Sequence, residues 1–204
     1  MRFLIITKKQ LMLGICALIA VIAVVIGSAT AFAGNNRKLP IYCVETEKKQ
    51  IAISFDAAWG NDDTQTLIDI LKEYKVPATF FVVGSWVDKY PESVKALSDA
   101  GHQVQNHSNT HPHMPQLSKH QMRDELESCN SKIKAITGVC PTLLRPPYGD
   151  YDNALIETVD SLGMSAIQWS VDSLDWKESA TPDSIFKRVT GKVTNGSIVL
   201  FHND

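Results

Sequence analysis

The chain has 204 residues, of which 44% are hydrophobic and 21% are charged. This composition is typical of a globular protein and argues against intrinsic disorder, and the length favours a single domain with a proper core. Three of the 20 basic residues and none of the 22 acidic ones lie before position 34, so the remainder carries 17 minus 22, or −5. That negative charge argues against a nucleic-acid partner held through phosphate contacts.

An apolar segment near the N-terminus, residues 11–33, contains no charged residue and follows three basic ones. Its 23 residues are enough to cross a bilayer core of about 30 Å at about 1.5 Å per residue, and the basic flank predicts that the N-terminus stays inside. The segment ends in Ala31, Phe32 and Ala33, which is also typical of a signal-peptidase cleavage site. We therefore expect an extracytoplasmic protein, either anchored in the cell membrane by residues 11–33 or secreted after cleavage following Ala33.

Residues 34–50 are polar and are predicted to form a linker that leads into a domain of residues 51–204. Within this domain, short apolar runs alternate with segments of helical periodicity. Strands are predicted at residues 51–55, 78–83, 103–105, 142–144, 164–170 and 197–201, and helices at residues 62–75, 91–100, 118–137, 152–162 and 182–190. The alternation is typical of parallel βαβ units, and no dinucleotide-binding glycine motif follows the first strand. The sequence therefore predicts an α/β protein of the (β/α) barrel type.

Polar side chains follow the predicted strands at the point where each strand ends. They are Asp56, His107, Arg145, Asp172 with Asp175, and His202. In a (β/α) barrel the carboxyl ends of the strands form the face on which active sites are built, so we expect these side chains to share one site. His107 and His111 are four residues apart and could offer two neutral nitrogens to a divalent cation, although a polar loop without a metal is the alternative.

Five short segments occur in a specific order along the domain. They are Ser-Phe-Asp at 54–56, His-Ser-Asn-Thr-His at 107–111, Arg-Pro-Pro-Tyr-Gly at 145–149, Asp-Ser-Leu-Asp-Trp at 172–176 and Leu-Phe-His at 200–202. This series resembles the motifs of the polysaccharide deacetylase family, also called the NodB-homology domain or carbohydrate esterase family four, over about residues 50–204. The Phe-Asp-Ala-Ala-Trp-Gly form of the first motif, behind an apolar segment, is similar to the sporulation-associated branch that acts near the spore cortex.

The resemblance implies a distorted (β/α) barrel of the NodB-homology type and a metal-dependent hydrolase. Such an enzyme removes N-acetyl groups from a cell-wall polysaccharide such as peptidoglycan, using a divalent cation that polarises the amide carbonyl and the attacking water. His107 and His111 would be the metal ligands, and zinc would be the cation, with cobalt or another divalent ion as the alternative. Asp56 would be the general base, and Arg145 would hold it ionised and oriented.

The remaining motif residues have implied roles in stabilising the oxyanion, in protonating the leaving group and in lining the acetyl pocket. The backbone N–H of Tyr148 would stabilise the oxyanion, and His202 would be the general acid, with Asp175 tuning its pKa. Leu200 and Trp176 would line the acetyl pocket, although Trp176 could equally belong to the core. For Trp59, core packing is the favoured interpretation and a sugar-stacking wall is the alternative.

Two features depart from the family pattern. The position after the base is normally an aspartate that serves as the third metal ligand, whereas here it is Ala57. Water, substrate, Asp62 or Asp63 would have to replace it, so a second hypothesis is a catalytically weakened or inactive glycan-binding or spore-envelope protein. The family domain also continues beyond the last motif, so we expect the C-terminal closing elements to be missing here and a longer form to be more stable.

Overall fold

The computed structural model of the chain describes residues 37–203 and, before them, Lys8, Lys9, Met12 and Leu18. The predicted anchor or signal segment, residues 11–33, lies outside the described residues except for two of these positions. No helix within the described part of the chain has the length and apolar character needed to cross a membrane. One compact unit begins at Lys38 and contains all of the predicted domain.

A parallel sheet of seven strands forms the centre of this unit. The strands are β1 (Ala52–Ala57), β2 (Thr79–Val82), β3 (Gln103–Asn106), β4 (Leu143–Leu144), β5 (Ser165–Ala166), β6 (Val171–Asp172) and β7 (Ile198–His202). Their order across the sheet is β5-β4-β3-β2-β1-β7-β6, and every pair of neighbours runs parallel. The sheet therefore confirms the predicted α/β class and its βαβ connections.

Six α-helices are described between these strands. They are α1 (Thr64–Glu73), α2 (Gly84–Lys89), α3 (Pro91–Asp99), α4 (Lys119–Thr137), α5 (Asn153–Ser161) and α6 (Pro182–Thr190). The longest, α4, begins with a capping box between Ser118 and Gln121 and ends at Gly138, whose φ of 75° suits glycine at a helix end. Five of the six match predicted helices, whereas α2 was not predicted because six residues are too few to show a clear helical period.

The sheet is curled, because its two edge strands are consecutive in the chain. β5 pairs with β4 at one edge and β6 pairs with β7 at the other, and only residues 167–170 connect them. This short connection hydrogen-bonds to β4 at its start and to β7 at its end. The Ile167 N–H donates to Leu144 O at 2.7 Å, and the Ser170 N–H donates to Ile198 O at 3.0 Å. A connection of four residues spans at most about 18 Å, so the two edges must approach each other. The predicted strand at 164–170 is therefore wrong in extent. Only β5 lies within it, residues 167–170 form the connection, and β6 begins at Val171.

Most of the predicted linker packs against the domain. The Ile41 N–H donates to Ala166 O, and the Gln168 N–H donates to Ile41 O, both at 2.8 Å. The Val44 N–H donates to Gly196 O at 2.9 Å. The interpretation of residues 34–50 as a linker thus needs correction for residues 38–50, because their backbone polar groups bond to the fold rather than to water alone.

The core between the sheet and its helices is rich in aromatic and β-branched residues. Phe55 stacks on Phe80 with ring centroids 4.9 Å apart, and both rings are buried. Ala57, at the end of β1, is fully buried in the same cluster as Val82. Asp56 lies between Phe55 and Ala57 in β1, but its side chain lines a cavity instead of the core, as expected for the alternating faces of a strand.

Candidate active site

A cavity of about 350 Å³ opens at the carboxyl ends of the strands. Seven residues predicted for the site line it, namely Asp56, His107, His111, Tyr148, Trp176, Leu200 and His202. The other two, Arg145 and Asp175, lie behind this wall and bond to residues that line it. The structure therefore brings all nine predicted site residues together, as the parallel-barrel interpretation requires.

Asp56 and Arg145 form a buried ion pair. Nη1 of Arg145 donates to Oδ1 of Asp56 at 2.8 Å, and the arginine side chain is fully buried. The guanidinium also packs over the ring of Phe81 at 4.2 Å and donates from Nη2 to Gln168 O at 3.3 Å. These contacts leave Oδ2 of Asp56 as the oxygen that is not engaged by the arginine, and they fix the carboxylate in one orientation.

His107 presents one nitrogen to Asp56. Its Nδ1 lies 2.7 Å from the carbonyl oxygen of Arg145. Because a carbonyl oxygen can only accept, Nδ1 carries the hydrogen and Nε2 carries the lone pair of the neutral ring. Nε2 is 3.5 Å from Oδ2 of Asp56. Burial lowers the pKa of His107 in spite of the neighbouring Asp56 charge, so the ring is neutral near pH 7.

His111 lies beside His107, with ring centroids 4.9 Å apart. Burial, followed by the effect of His107, lowers the pKa of His111 to about 4. Its Nδ1 is buried and has no hydrogen-bond partner among the described residues. The site therefore contains two adjacent neutral imidazoles, which is the protonation state needed to bind a cation.

His202 and Asp175 form a second pair at the cavity. Nδ1 of His202 is 2.8 Å from Oδ1 of Asp175, and the backbone N–H of His202 donates to Oδ2 at 2.8 Å. Burial alone would lower the pKa of His202, but the bond to Asp175 and the charge of Asp56 outweigh it, and the net shift is upward. The protonated ring is thus favoured, in contrast to the two neutral imidazoles nearby.

Aromatic side chains form the rim of the cavity. Trp59 is 66% exposed and lines it, edge-on to His111, so the interpretation of Trp59 as a core residue was wrong. Trp176 is 57% exposed and also lines the cavity, which excludes a core role. Tyr148 has a φ of 59° and stacks on His113 at 4.2 Å. These exposed rings offer flat apolar faces at the entrance of a polar site.

Three residues that line the cavity were not predicted to belong to the site. They are Ala58, Gly149 and Trp169. Asp172 also lines it and was expected there as a polar residue at a strand end, although without an assigned role, and Gly149 lies within a motif that carries the resemblance. The sequence could not show that Trp169 faces the cavity. Trp169 lies in the connection between β5 and β6, where side chains do not alternate between the two faces of a strand.

Comparison with known proteins identifies the family. The family model described as Polysaccharide deacetylase matches residues 44–167, which is more than half of the chain. The chain belongs to the polysaccharide deacetylase family. The predicted resemblance is thereby confirmed, and the curled parallel sheet is the NodB-like fold of this family.

Several deacetylase-family relatives are similar over most of the chain. A Bacillus subtilis protein named peptidoglycan-N-acetylmuramic acid deacetylase PdaA is 38% identical, covering 67% of this chain and 52% of its own. A Bacillus cereus peptidoglycan-N-acetylglucosamine deacetylase is 29% identical, covering 87% and 64%. The solved structure of BA3943 from Bacillus anthracis, described as a CE4 family pseudoenzyme, has a TM-score of 0.78 and 37% identity, covering 81% and 58%. The chain thus spans between half and two thirds of the length of these proteins.

The third metal ligand of the deacetylase family has no counterpart in the described residues. Ala57 occupies its sequence position, and Asp62 and Asp63 are exposed and do not line the cavity. Among the described residues, no group of three His, Cys, Asp or Glu side chains is arranged to hold a metal ion. Catalytic zinc normally has three protein ligands, so the two imidazoles do not by themselves fit such a centre. The assignment of His107 and His111 as ligands stays a prediction.

Proposed function

We propose that this chain is a hydrolase that removes acetyl groups from an N-acetylated cell-wall polysaccharide, with peptidoglycan as the substrate. The observation that carries the proposal is that Asp56 and His202, a candidate base and a candidate acid, line the same cavity. Family membership and the names of the Bacillus relatives support the choice of substrate.

Asp56 is the proposed general base. Water attacks the acetyl carbonyl carbon, and as the C–O bond forms its proton passes to Oδ2 of Asp56. Arg145 engages Oδ1, so the carboxylate keeps one free oxygen and a fixed orientation. The backbone N–H of Tyr148 is the proposed donor to the developing oxyanion, a contact whose loss typically costs about 2.7–4 kcal/mol.

His202 is the proposed general acid. When the C–N bond breaks, the leaving nitrogen takes a proton from the ring, which its raised pKa keeps protonated. Asp175 engages Nδ1, so Nε2 is the nitrogen left to deliver the proton. Asp56 thus accepts the proton of the water and His202 supplies the proton for the leaving nitrogen, as a hydrolysis of this kind requires.

A divalent cation, zinc or cobalt, is the proposed cofactor, with His107 and His111 as its protein ligands. Two ligands should bind it more weakly than the usual three, so we expect low affinity and a need for added metal.

Acetate release from N-acetylglucosamine oligomers and from peptidoglycan fragments tests the proposal. The purified chain should release acetate when zinc or cobalt is added, and a chelator should lower the rate. Asp56→Asn and His202→Gln should each reduce the rate by about 100-fold or more. Asp183→Asn is the matched control, because Asp183 is exposed on α6. Full activity in the Asp56→Asn variant would contradict the mechanism.

A glycan-binding protein without turnover is the second candidate function. It is favoured by the fully buried Ala57 at the ligand position and by the similarity to a protein described as a pseudoenzyme. In this case the wild type binds the oligomers but releases no acetate with any cation. Calorimetry with wild type and Asp56→Asn distinguishes the two, because only an active enzyme loses a measurable rate while retaining glycan affinity.

We also propose that the protein acts outside the cytoplasm, in the cell envelope and during sporulation. Residues 11–33 would be either a membrane anchor or a cleaved signal peptide. Fractionation of cells with an antibody to the domain tests this, and N-terminal sequencing of the mature protein separates the anchor from a signal cleaved after Ala33.

A further inference from the structure

The loop that carries the two site histidines, residues 107–111, has an unusual backbone. Ser108 has a φ of 68° and His111 has a φ of 61°, and neither is glycine. Left-handed conformations at two non-glycine positions within four residues are sparsely populated in free chains. They persist only where the surrounding structure holds them. Something outside this loop must therefore stabilise its shape.

The carboxylate of Glu125, on helix α4, provides this support. Its Oε2 accepts hydrogen bonds from the backbone N–H groups of Asn109 and Thr110, each at 2.8 Å, and its Oε1 accepts from Oγ1 of Thr110 at 2.7 Å. Three bonds to one ionised group are stronger than three bonds to neutral acceptors. They join the middle of the loop, between Ser108 and His111, to a helix of 19 residues.

Neutral groups complete the attachment of the loop. The His111 N–H donates to Oγ of Ser108 at 2.9 Å, and the Ser108 N–H donates to Oδ1 of Asn106 at 2.7 Å. The N–H groups of Gly84 and Ser85 donate to Ser108 O and Asn109 O, each at 2.9 Å. These contacts hold the ends and the carbonyl side of the loop, whereas Glu125 holds the N–H side.

We propose that Glu125 is a positioning residue, which fixes the loop so that the ring of His111 stays at the cavity wall. Glu125 does not line the cavity, so it acts through the loop and not on the substrate. The consequence for catalysis rests on the proposed function, but the effect on the loop does not.

Two substitutions separate the hydrogen bonds from the charge. Glu125→Ala removes all three bonds. Glu125→Gln can keep them, because its amide oxygen can accept from both N–H groups and its NH₂ can donate to Oγ1 of Thr110. Glu127→Ala is the matched control, since Glu127 is two residues further along α4 and its exposed side chain pairs with Arg123 at 3.0 Å.

Hydrogen exchange of a peptide covering residues 107–111, measured on the full chain, tests the effect on the loop. We expect exchange at least about 10-fold faster in Glu125→Ala and close to wild type in Glu125→Gln and Glu127→Ala. Unchanged exchange in Glu125→Ala would overturn the proposal, and so would equal acceleration in all three variants.

The rate of acetate release, split into kcat and KM, tests the effect on the site. A displacement of about 1 Å can cost about 100-fold in rate, so kcat/KM should fall by about 10-fold to 100-fold in Glu125→Ala and recover in Glu125→Gln. A fall that merely follows the unfolded fraction at the assay temperature would overturn the positioning role. If the wild type releases no acetate, the proposed function fails while the exchange result still decides the role of Glu125.

Discussion

Nη1 of Arg145 lies 2.8 Å from Oδ1 of Asp56, and the two residues are 89 positions apart in the chain. The pair joins the end of β1 to the residue that follows β4, across the opening of the curled sheet. Both side chains are buried, so each ion depends on the other for the interactions that water would otherwise supply. The pair therefore serves both the stability of the fold and the orientation of the proposed base.

Replacing Arg145 tests that dependence. Arg145→Met should lower the free energy of unfolding by about 3–5 kcal/mol, because it leaves the Asp56 carboxylate buried without its partner. Urea unfolding measures the loss. Arg123→Met is the control, since Arg123 pairs with Glu127 at the surface, and its loss should be below about 1 kcal/mol. Similar losses for the two variants would show that Asp56 does not need the arginine.

The pair of His202 and Asp175 should make stability depend on pH. The folded state raises the pKa of His202 above the ordinary histidine value of about 6.5, so the folded chain binds more protons than the unfolded chain in the window just above that pH. The stabilisation is fully present below about pH 6.5 and is lost as the pH rises through the raised pKa. Asp175→Asn should remove most of this contribution.

Urea unfolding of wild type and Asp175→Asn at several pH values measures the effect. The difference between the two free energies should be largest at about pH 6 and should shrink towards about pH 9. Asp183→Asn, an exposed control, should show a small difference without this trend. A difference that grows with rising pH would mean that Asp175 does not favour the protonated ring.

Two glycines offer a matched test of the cavity wall. Gly149 and Gly163 have φ values of 66° and 68°, so alanine at either position should cost about 1–2 kcal/mol for the backbone alone. A Cβ at Gly149 would also lie 2.8 Å from the ring of Trp169, whereas one at Gly163 would meet nothing within 4 Å.

Gly149→Ala should therefore lose more stability than Gly163→Ala and should also bind N-acetylglucosamine oligomers more weakly, because Trp169 has to move in the cavity. Thermal unfolding and calorimetry measure the two effects. Equal glycan affinity in both variants would indicate that the Trp169 wall does not contact the ligand.

The sequence was a good guide to local structure and a weaker one to pairing between distant segments. The start and end of α4 are set by residues next to it in the sequence, the capping box at Ser118 and the glycine at position 138, so its bounds could be predicted. The end of β5 at Ala166 and the start of β6 at Val171 could not be predicted, because they depend on which neighbouring strand each residue meets in the folded sheet. The packing of residues 38–50 on the domain has the same non-local origin.

Some features of the candidate site could likewise be predicted from the sequence, and others could not. Asp56, His107 and His202 lie at or just past the carboxyl ends of strands. Parallel strands bring such positions to one face, so their convergence could be predicted. The exposure of Trp59 could not, since an aromatic residue in a loop gives no sign of whether it faces the core or a cavity. The role of Glu125 also lay beyond the sequence, because its partners are 15 and 16 residues away on a loop of non-repetitive shape.

Ala57 offers the sharpest test of the missing metal ligand. It is fully buried beside Asp56, so Ala57→Asp without a cation should lower the free energy of unfolding by about 3–5 kcal/mol, the cost of an unpaired buried charge. Zinc should restore much of this loss if a carboxylate at position 57 completes a site with His107 and His111, since a ligand at about 100 times its Kd stabilises by about 2.7 kcal/mol.

Thermal unfolding of Ala57→Asp with and without zinc measures this effect, and Ala57→Asn is the control because it has nearly the same shape without the charge. Zinc should stabilise the aspartate variant more than the asparagine variant or the wild type, and acetate release should rise with it. The same zinc effect in the aspartate and asparagine variants would show that position 57 cannot reach the cation. The absence of a third metal ligand would then result from the backbone geometry of β1 as well as from the presence of alanine at position 57.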